Sequence, residues 1–143
     1  GIKNFDLLVK YINKKYPNYK ILIIGGSEDE KEVYELSKNK NCIPLINFNL
    51  RELSILLKRS SCVITLDGGP MHIAWASKAK LIALLGPLDL TLLKPLSSII
   101  IHHKLKCNPC KKSPSKCPLP LGKRCMDLIS VEEVKKEVEK ILK

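Results

Sequence analysis

Apolar and polar residues follow two alternating periodicities along the chain, and these predict strands and helices in turn. Short, nearly continuous apolar runs are typical of strands buried in a parallel sheet. Apolar residues spaced three and four apart are typical of helices with one buried face. The strand-like runs are YKILIIGG, CIPLI, SCVITL, KLIALLG and SSIIIHH, at 19–26, 42–46, 61–66, 80–86 and 97–103.

Helical patterns separate these runs, and several begin at residues that favour a helix N-terminus. Asn4 and Asn49 are predicted N-caps, and Ser130 with Glu133 predicts a capping box for the last helix. The expected buried positions are Phe5, Leu8, Val9, Ile12, Leu50, Leu53, Leu56, Leu57, Val131, Val134, Val138 and Ile141. Alternating strands and helices predict an α/β fold with a doubly wound parallel sheet. At 143 residues, the chain is one domain or one half of a two-domain protein.

The charge balance raises three classes of partner. Lys and Arg number 25 against 14 acidic residues, a net charge of +11. Nucleic acid, an anionic membrane surface or a phosphorylated small molecule would suit this charge. A lysine-rich surface that contacts only solvent explains the same charge without a partner. Three arginines and 5% aromatic residues count against nucleic acid. No apolar run reaches the length of a spanning helix or resembles a signal peptide, and a start at Gly1 suggests part of a longer protein.

Two predicted strand-to-helix turns are rich in glycine and acidic residues. In GGSEDE, residues 25–30, the glycines allow close backbone approach, whereas the acids would repel phosphate and suit ribose hydroxyls. A tight turn with acids at a helix start explains the same residues without a ligand. There is no G-x-G-x-x-G sequence and no Walker A lysine. The loop INFNLRE, residues 46–52, is by itself only a loop and an N-cap.

The second of these turns is DGGPMH, residues 67–72. Gly68 and Gly69 would expose backbone N–H groups at a helix start, which is an anion-binding arrangement. His72 would donate to a phosphate oxygen, and Asp67 would fix the loop or bind a hydroxyl. The alternative is a plain helix cap with a surface histidine.

Four cysteines cluster in the one compositional break of the chain, residues 104–125. Cys107, Cys110, Cys117 and Cys125 have the spacing C-x2-C-x6-C-x7-C. Such a set can hold structural zinc or an iron–sulfur cluster, and the alternative is four reduced thiols in a structured loop. The other two cysteines, Cys42 and Cys62, fall in strand-like runs and are predicted core thiols.

Taken in order, these motifs resemble the donor-binding half of glycosyltransferase family 9, the lipopolysaccharide heptosyltransferases. The resemblance rests on IGGSEDE, DGGPMHIAWA, LIALLGPLDL and the cysteine tail that continues into CMDLISVEEV. It implies a Rossmann-like, nucleotide-sugar-binding domain over residues 1–143, the C-terminal half of a GT-B enzyme. It departs from the family pattern at Gly68, where the family has Thr or Ser, at Trp75, where it has a small residue, and at Leu88 and Leu90.

Carried over residue by residue, the resemblance implies a donor site. The diphosphate would meet the backbone of Gly68 and Gly69, with Asp67 and His72 at the same turn. The ribose would meet Asp29, and the adenine would meet the backbone of the loop around Phe48; these two assignments bring the implied donor-binding set to Asp29, Phe48, Asp67, Gly68, Gly69 and His72.

The implied activity is transfer of heptose from ADP-heptose to a lipopolysaccharide core acceptor, without an essential metal. The acceptor, a lipid-linked saccharide, and the general base belong to an N-terminal domain outside this chain. We therefore expect no catalytic residue here, and binding without turnover by the chain alone. The implied location is cytoplasmic, at the inner face of the bacterial inner membrane and near its anionic surface. The alternative is a non-enzymatic basic α/β module with a four-cysteine metal site that binds RNA or an acidic partner.

Overall fold

A computed structural model of the chain describes residues 1–87, 98–108, 110, 117–120 and 124–142. Two compact units are present, residues 1–52 and residues 53–143. Leu88, Asp89 and Leu90 of the predicted Gly-Pro turn lie outside the described residues, as do parts of the cysteine-rich stretch. A single domain over residues 1–143 therefore stays a prediction. None of the described helices is long and apolar enough to cross a membrane.

The first unit contains two helices and a two-stranded parallel sheet. Its elements are α1 (Ile2–Lys15), β1 (Ile21–Gly25), a single 3-10 turn (Ser27–Asp29), α2 (Glu30–Ser37) and β2 (Cys42–Ile46). In the register Ile21 lies opposite Cys42, and Gly25 lies opposite Ile46. The buried side chains come from one face of each helix: Leu8, Val9, Ile12, Val33 and Leu36. The apolar spacing of α1 and α2 therefore forms the core of this unit.

Two expectations for the first unit are wrong in detail. Asn4 is not an N-cap, because α1 begins two residues earlier; the Asn4 N–H donates to the carbonyl of Gly1 at 3.0 Å. The residues of β1 are only half-buried, although a strand buried on both faces was expected. Both patterns still identify the correct element, since helix and strand occur where the periodicity places them.

The following elements form a three-stranded parallel sheet with helices against it. They are α3 (Leu50–Arg59), β3 (Val63–Leu66), α4 (Gly69–Ala76), β4 (Leu81–Leu85), β5 (Ile99–His102) and α5 (Val131–Ile141). The strand order is β3-β4-β5. The central strand β4 is buried along its whole length, as expected for a strand covered on both faces. The largest fully buried side chains are Met71, Leu81, Ile82, Leu85 and Val138.

Capping residues start two helices as the sequence predicts. Asn49 Oδ1 accepts from the Glu52 N–H at 3.0 Å, and Glu52 Oε2 accepts from the Asn49 N–H at 3.3 Å. At α5, Ser130 Oγ accepts from the Glu133 N–H, and Glu133 Oε2 accepts from the Ser130 N–H at 2.8 Å. Leu50 is the exception among the predicted core positions, because it is 73% exposed on the first turn of α3.

Candidate functional site

The turn after β1 is closed by its own side chains. The 3-10 turn turns the chain so that Asp29 Oδ2 accepts from the N–H of Gly26 at 3.2 Å. A Cβ on Gly25 would lie 2.7 Å from Val33 Cγ2 and 2.9 Å from Asp29 Cβ. Only glycine fits there without displacing the buried Val33. The predicted ribose ligand Asp29 is thus also a structural part of this turn.

The loop after β2 lies at the same end of the two-stranded sheet. Asn47 has a φ of 58°, a left-handed conformation that asparagine tolerates, and its N–H donates to Gly25 O at 3.4 Å. Phe48 follows with 37% of its surface exposed. The first unit therefore brings the predicted ribose and adenine residues to the carboxyl ends of paired strands, where ligands bind in such sheets.

The turn after β3 is open by comparison. Gly68 has a φ of 150° with ψ −172°, a conformation that L side chains rarely adopt. Its carbonyl accepts from the N–H groups of Met71 at 3.1 Å and His72 at 3.3 Å, which starts α4. No side chain caps the helix. A Cβ on Gly69 would meet nothing within 4 Å.

The donors at this helix start are uncommitted. Among the described residues, none accepts a hydrogen bond from the N–H of Gly68 or Gly69. Pro70, the next residue, has no N–H to satisfy. Free N–H groups at the positive end of a helix form an anion site. The glycine pair therefore exposes its backbone N–H groups, and phosphate binding at this turn stays a prediction.

The flanking side chains of this turn face solvent. The side chains of Asp67 and His72 are exposed, and neither side chain has a hydrogen-bond partner in the described part of the chain. Met71 and Ala74 on the other face of α4 are fully buried. All four predicted residues of this turn, Asp67 to His72, thus share one solvent-accessible feature.

Trp75 shares the exposed face of α4, and sequence reasoning noted it only as a departure from the family pattern. It lies one helical turn after His72 and is 38% exposed. Tryptophan is a large apolar residue with a flat ring, so its exposure beside a polar turn adds a contact surface there. The helical spacing from His72 was the signal that could have identified it.

Three residues in or next to the cysteine-rich stretch, Asn108, Cys125 and Met126, pack at the carboxyl end of β4. A Cβ on Gly86 would lie 2.8 Å from Met126 Sδ and 3.6 Å from Cys125 Sγ. The side-chain amide of Asn108 donates to Gly86 O at 3.4 Å and lies 3.1 Å from His102 Nε2. Asn108 and Cys125 therefore lie at the same edge of the sheet as the turn after β3, one strand away.

All six cysteines are free thiols. Cys42 and Cys62, the predicted core thiols, are only half-buried. Burial raises the pKa of Cys62 to about 11, and it also raises the pKa of Cys42. Burial raises the pKa of Cys125, and the neighbouring thiols Cys107 and Cys117 raise it further. Among the described residues, no three His, Cys, Asp or Glu side chains form a ready-made set of metal ligands.

Comparison with known proteins identifies the family. The sequence model of glycosyltransferase family 9 (heptosyltransferase) matches residues 2–120. The chain belongs to glycosyltransferase family 9. It is 31% identical over 135 residues to lipooligosaccharide heptosyltransferase 2 of Campylobacter jejuni, covering 87% of this chain and 42% of that protein. The chain thus spans about two fifths of the length of this relative.

Solved structures of the family share the fold. A family 9 glycosyltransferase from Veillonella parvula superposes with a TM-score of 0.74 at 24% identity, over 99% of this chain and 41% of that chain. ADP-heptose lps heptosyltransferase II of E. coli gives 0.71 at 20% identity, over 99% and 41%. E. coli heptosyltransferase WaaC with ADP-2-deoxy-2-fluoro heptose gives 0.69 at 15% identity, over 98% and 38%. The predicted fold class, the Rossmann-like α/β half of a GT-B glycosyltransferase, is confirmed.

Proposed function

We propose that this chain is the donor-binding half of a heptosyltransferase and that the turn from Asp67 to His72 binds the diphosphate of the donor. The observation that carries the proposal is the open start of α4, where the N–H groups of Gly68 and Gly69 have no acceptor among the described residues. Family membership supports a glycosyl transfer, and it favours this function over an RNA-binding module.

The chemistry proposed for this turn is stabilisation of the leaving group. In the transfer, an acceptor hydroxyl forms a bond to the anomeric carbon of the sugar while the bond from that carbon to the diphosphate oxygen breaks. The hydroxyl proton passes to a base outside this chain, and the nucleoside diphosphate leaves. The backbone N–H groups of Gly68 and Gly69, together with the dipole of α4, stabilise the negative charge that develops on the diphosphate.

The other residues of the predicted donor-binding set have proposed roles of their own. His72 donates to a phosphate oxygen from the first turn of α4, and Asp67 accepts from a hydroxyl of the donor. Asp29 contributes its second carboxylate oxygen to the ribose, since Oδ2 is held by Gly26. The loop at Phe48 meets the adenine. Exposure of Asp67, His72 and Phe48 supports these assignments.

The proposed substrates are a heptose linked to ADP and a lipid-linked saccharide of the bacterial cell envelope. The heptosyltransferase WaaC holds an ADP-heptose analogue, and the Campylobacter relative is named for lipooligosaccharide. The location that goes with a lipid-linked acceptor is proposed to be the cytoplasm, beside the anionic surface of the inner membrane. The net charge of +11 supports such peripheral contact. Acceptor binding and the base are proposed for the part of the protein outside this chain, and the chain alone is proposed to bind donor without turnover.

A charge placed at Gly69 tests the proposal in the full-length protein. Gly69→Asp adds a carboxylate where a Cβ meets nothing within 4 Å, and Gly69→Asn adds the same shape without charge. We expect Gly69→Asp to weaken ADP binding by about tenfold or more, because like charges a few ångströms apart cost about 1 to 4 kcal/mol. Gly69→Asn should lose much less. An acid at a helix start should not lower stability.

Calorimetric titration with ADP, ADP-heptose and a UDP-sugar supplies the measurement, with heptose transfer as the second readout. Equal affinities for the Asp and Asn variants would show that the diphosphate does not bind at this turn. Folded protein that binds none of the three ligands and transfers no heptose would refute the proposed function as a whole.

A further inference from the structure

Hydrogen bonds from Cys110 and from Asn108 hold the C-x2-C pair, Cys107 and Cys110, at the carboxyl end of β4. The N–H of Cys110 donates to the carbonyl of Pro87 at 2.9 Å. Asn108, between Cys107 and Cys110, donates from its side chain to the carbonyl of Gly86 at 3.4 Å and contacts His102 at 3.1 Å. The C-x2-C pair is thus tied to the ends of both β4 and β5.

Cys125 reaches the same place from a later segment of the chain. Cys125 Sγ and Met126 Sδ cover Gly86, at 3.6 Å and 2.8 Å from the position of a Cβ there. The guanidinium of Arg124 donates to the carbonyl of Leu119 at 3.2 Å, which links the segment after Cys117 to the residue before Cys125. Packing against Gly86 therefore explains why position 86 is glycine and why the segment stays at this edge.

The charge of this stretch suits a cluster of thiolates. Residues 104–125 contain seven Lys and Arg residues and no acidic residue. Four thiolates around a divalent ion carry a net charge of −2, which nearby cations offset. An ordinary lysine-rich loop has no need of four cysteines, and thiolates are the ligands that zinc prefers in closed structural sites.

We propose that Cys107, Cys110, Cys117 and Cys125 together bind one structural zinc ion at the carboxyl end of β4. Among the described residues, no three of these side chains already form a set of metal ligands. Binding of the ion would therefore require the four thiols to move closer together. Each thiol that binds releases its proton to solvent, and zinc undergoes no redox change. The ion would fasten the cysteine-rich stretch one strand away from the turn at Asp67 and Gly68, because Leu66 pairs with Leu84 on β4.

Elemental analysis of the full-length protein, purified under reducing conditions without chelator, measures the stoichiometry. We expect one zinc bound by this cluster, lost in Cys107→Ser and in Cys125→Ser. The matched controls are Cys42→Ser and Cys62→Ser, which replace the two thiols outside the cluster and should retain the ion. Replacement of zinc by cobalt should give the visible absorption of tetrahedral thiolate coordination, absent from the two cluster variants. Zinc should also raise the melting temperature of the wild type and of neither cluster variant.

Three results would overturn the proposal. The first is an equal zinc content in cluster and control variants, and the second is a cobalt spectrum without thiolate bands. The third is mass spectrometry of unreduced protein that finds disulfides among the four cysteines. A cluster variant that fails to fold is replaced by cobalt titration of the wild type, whose spectrum decides alone. None of these readouts depends on nucleotide binding, so the zinc site and the proposed function fail separately.

Discussion

The turn after β1 and the turn after β3 each contain a glycine pair and an aspartate, and they use them differently. In the first turn, Asp29 accepts from the N–H of Gly26, and Gly25 lies against Val33 and Asp29. In the second, Asp67 has no partner among the described residues, and a Cβ on Gly69 would meet empty space. The first pair is needed for packing, whereas the second leaves backbone donors accessible.

The starts of the neighbouring helices show the same difference. At the start of α3 the side-chain oxygen of Asn49 accepts a hydrogen bond from a backbone N–H. The side-chain oxygen of Ser130 does the same at the start of α5. The start of α4 has no such side chain. Helix N-terminal N–H groups need an acceptor, which is a side chain, water or a ligand. A capped start is complete by itself, and the uncapped start of α4 is suited to an anionic ligand.

Replacing one glycine of each pair by alanine tests the difference between the two turns, and it has the largest expected effect on stability. Gly25→Ala should lower the free energy of unfolding by about 1 to 3 kcal/mol, because its Cβ would overlap the buried Val33. Gly69→Ala should leave stability unchanged or raise it by up to about 1 kcal/mol, since helical alanine is favoured over glycine. Urea unfolding followed by circular dichroism measures both.

In Gly69→Ala, ADP affinity should change in the direction opposite to stability. Gly69→Ala narrows the approach to the backbone N–H groups, so we expect weaker ADP binding from a protein that is at least as stable. A Gly25→Ala protein as stable as the wild type would mean that the first turn is not packed as tightly as described. Unaltered ADP affinity in Gly69→Ala would mean that the second turn is merely open.

Removing the carboxylate of the first turn has the next largest effect. Asp29→Ala should cost about 0.5 to 2 kcal/mol, the usual loss for a side-chain cap. Asp29→Asn keeps an acceptor for the Gly26 N–H and should be close to wild type in stability. If the second oxygen of Asp29 binds the ribose, both variants should weaken ADP binding. Wild-type ADP affinity in Asp29→Asn would leave Asp29 as a turn residue only.

Local sequence patterns were sufficient for most of the fold. The apolar runs give every described strand, and Asn49 and Ser130 mark helix starts because capping depends on residues three positions apart. Asn4 fails because a helix can begin at a residue without a side-chain cap, as α1 does after Gly1. Leu50 fails because its spacing fits the buried face, yet the first turn of α3 leaves it exposed.

The candidate site was less accessible to sequence reasoning, because its chemistry depends on distances across the fold. The glycine pair at 68 and 69 is visible as a motif, and its open geometry is consistent with the expected anion site. The structural part of Asp29 in its turn was not visible, since the close approach to Gly26 follows from a 3-10 turn that the acids do not specify. Likewise, the packing of Cys125 on Gly86 joins residues 39 positions apart in sequence.

A substitution just after the C-terminus of α4 has the smallest expected effect. This is the helix whose N-terminus forms the candidate site. Lys78 has a φ of 59°, its N–H donates to Trp75 O at 3.0 Å, and the Ala79 N–H donates to Ala74 O at 2.9 Å. These bonds form a Schellman motif, in which the left-handed residue is usually glycine. Lys78→Gly should therefore raise the free energy of unfolding by about 0.5 to 1 kcal/mol. Lys78→Ala, the control, removes the charge and keeps the Cβ, so it should bring no such gain. A gain of equal size in both variants would point to charge, and ADP affinity should stay unchanged in either, since the two donors at Gly68 and Gly69 are untouched.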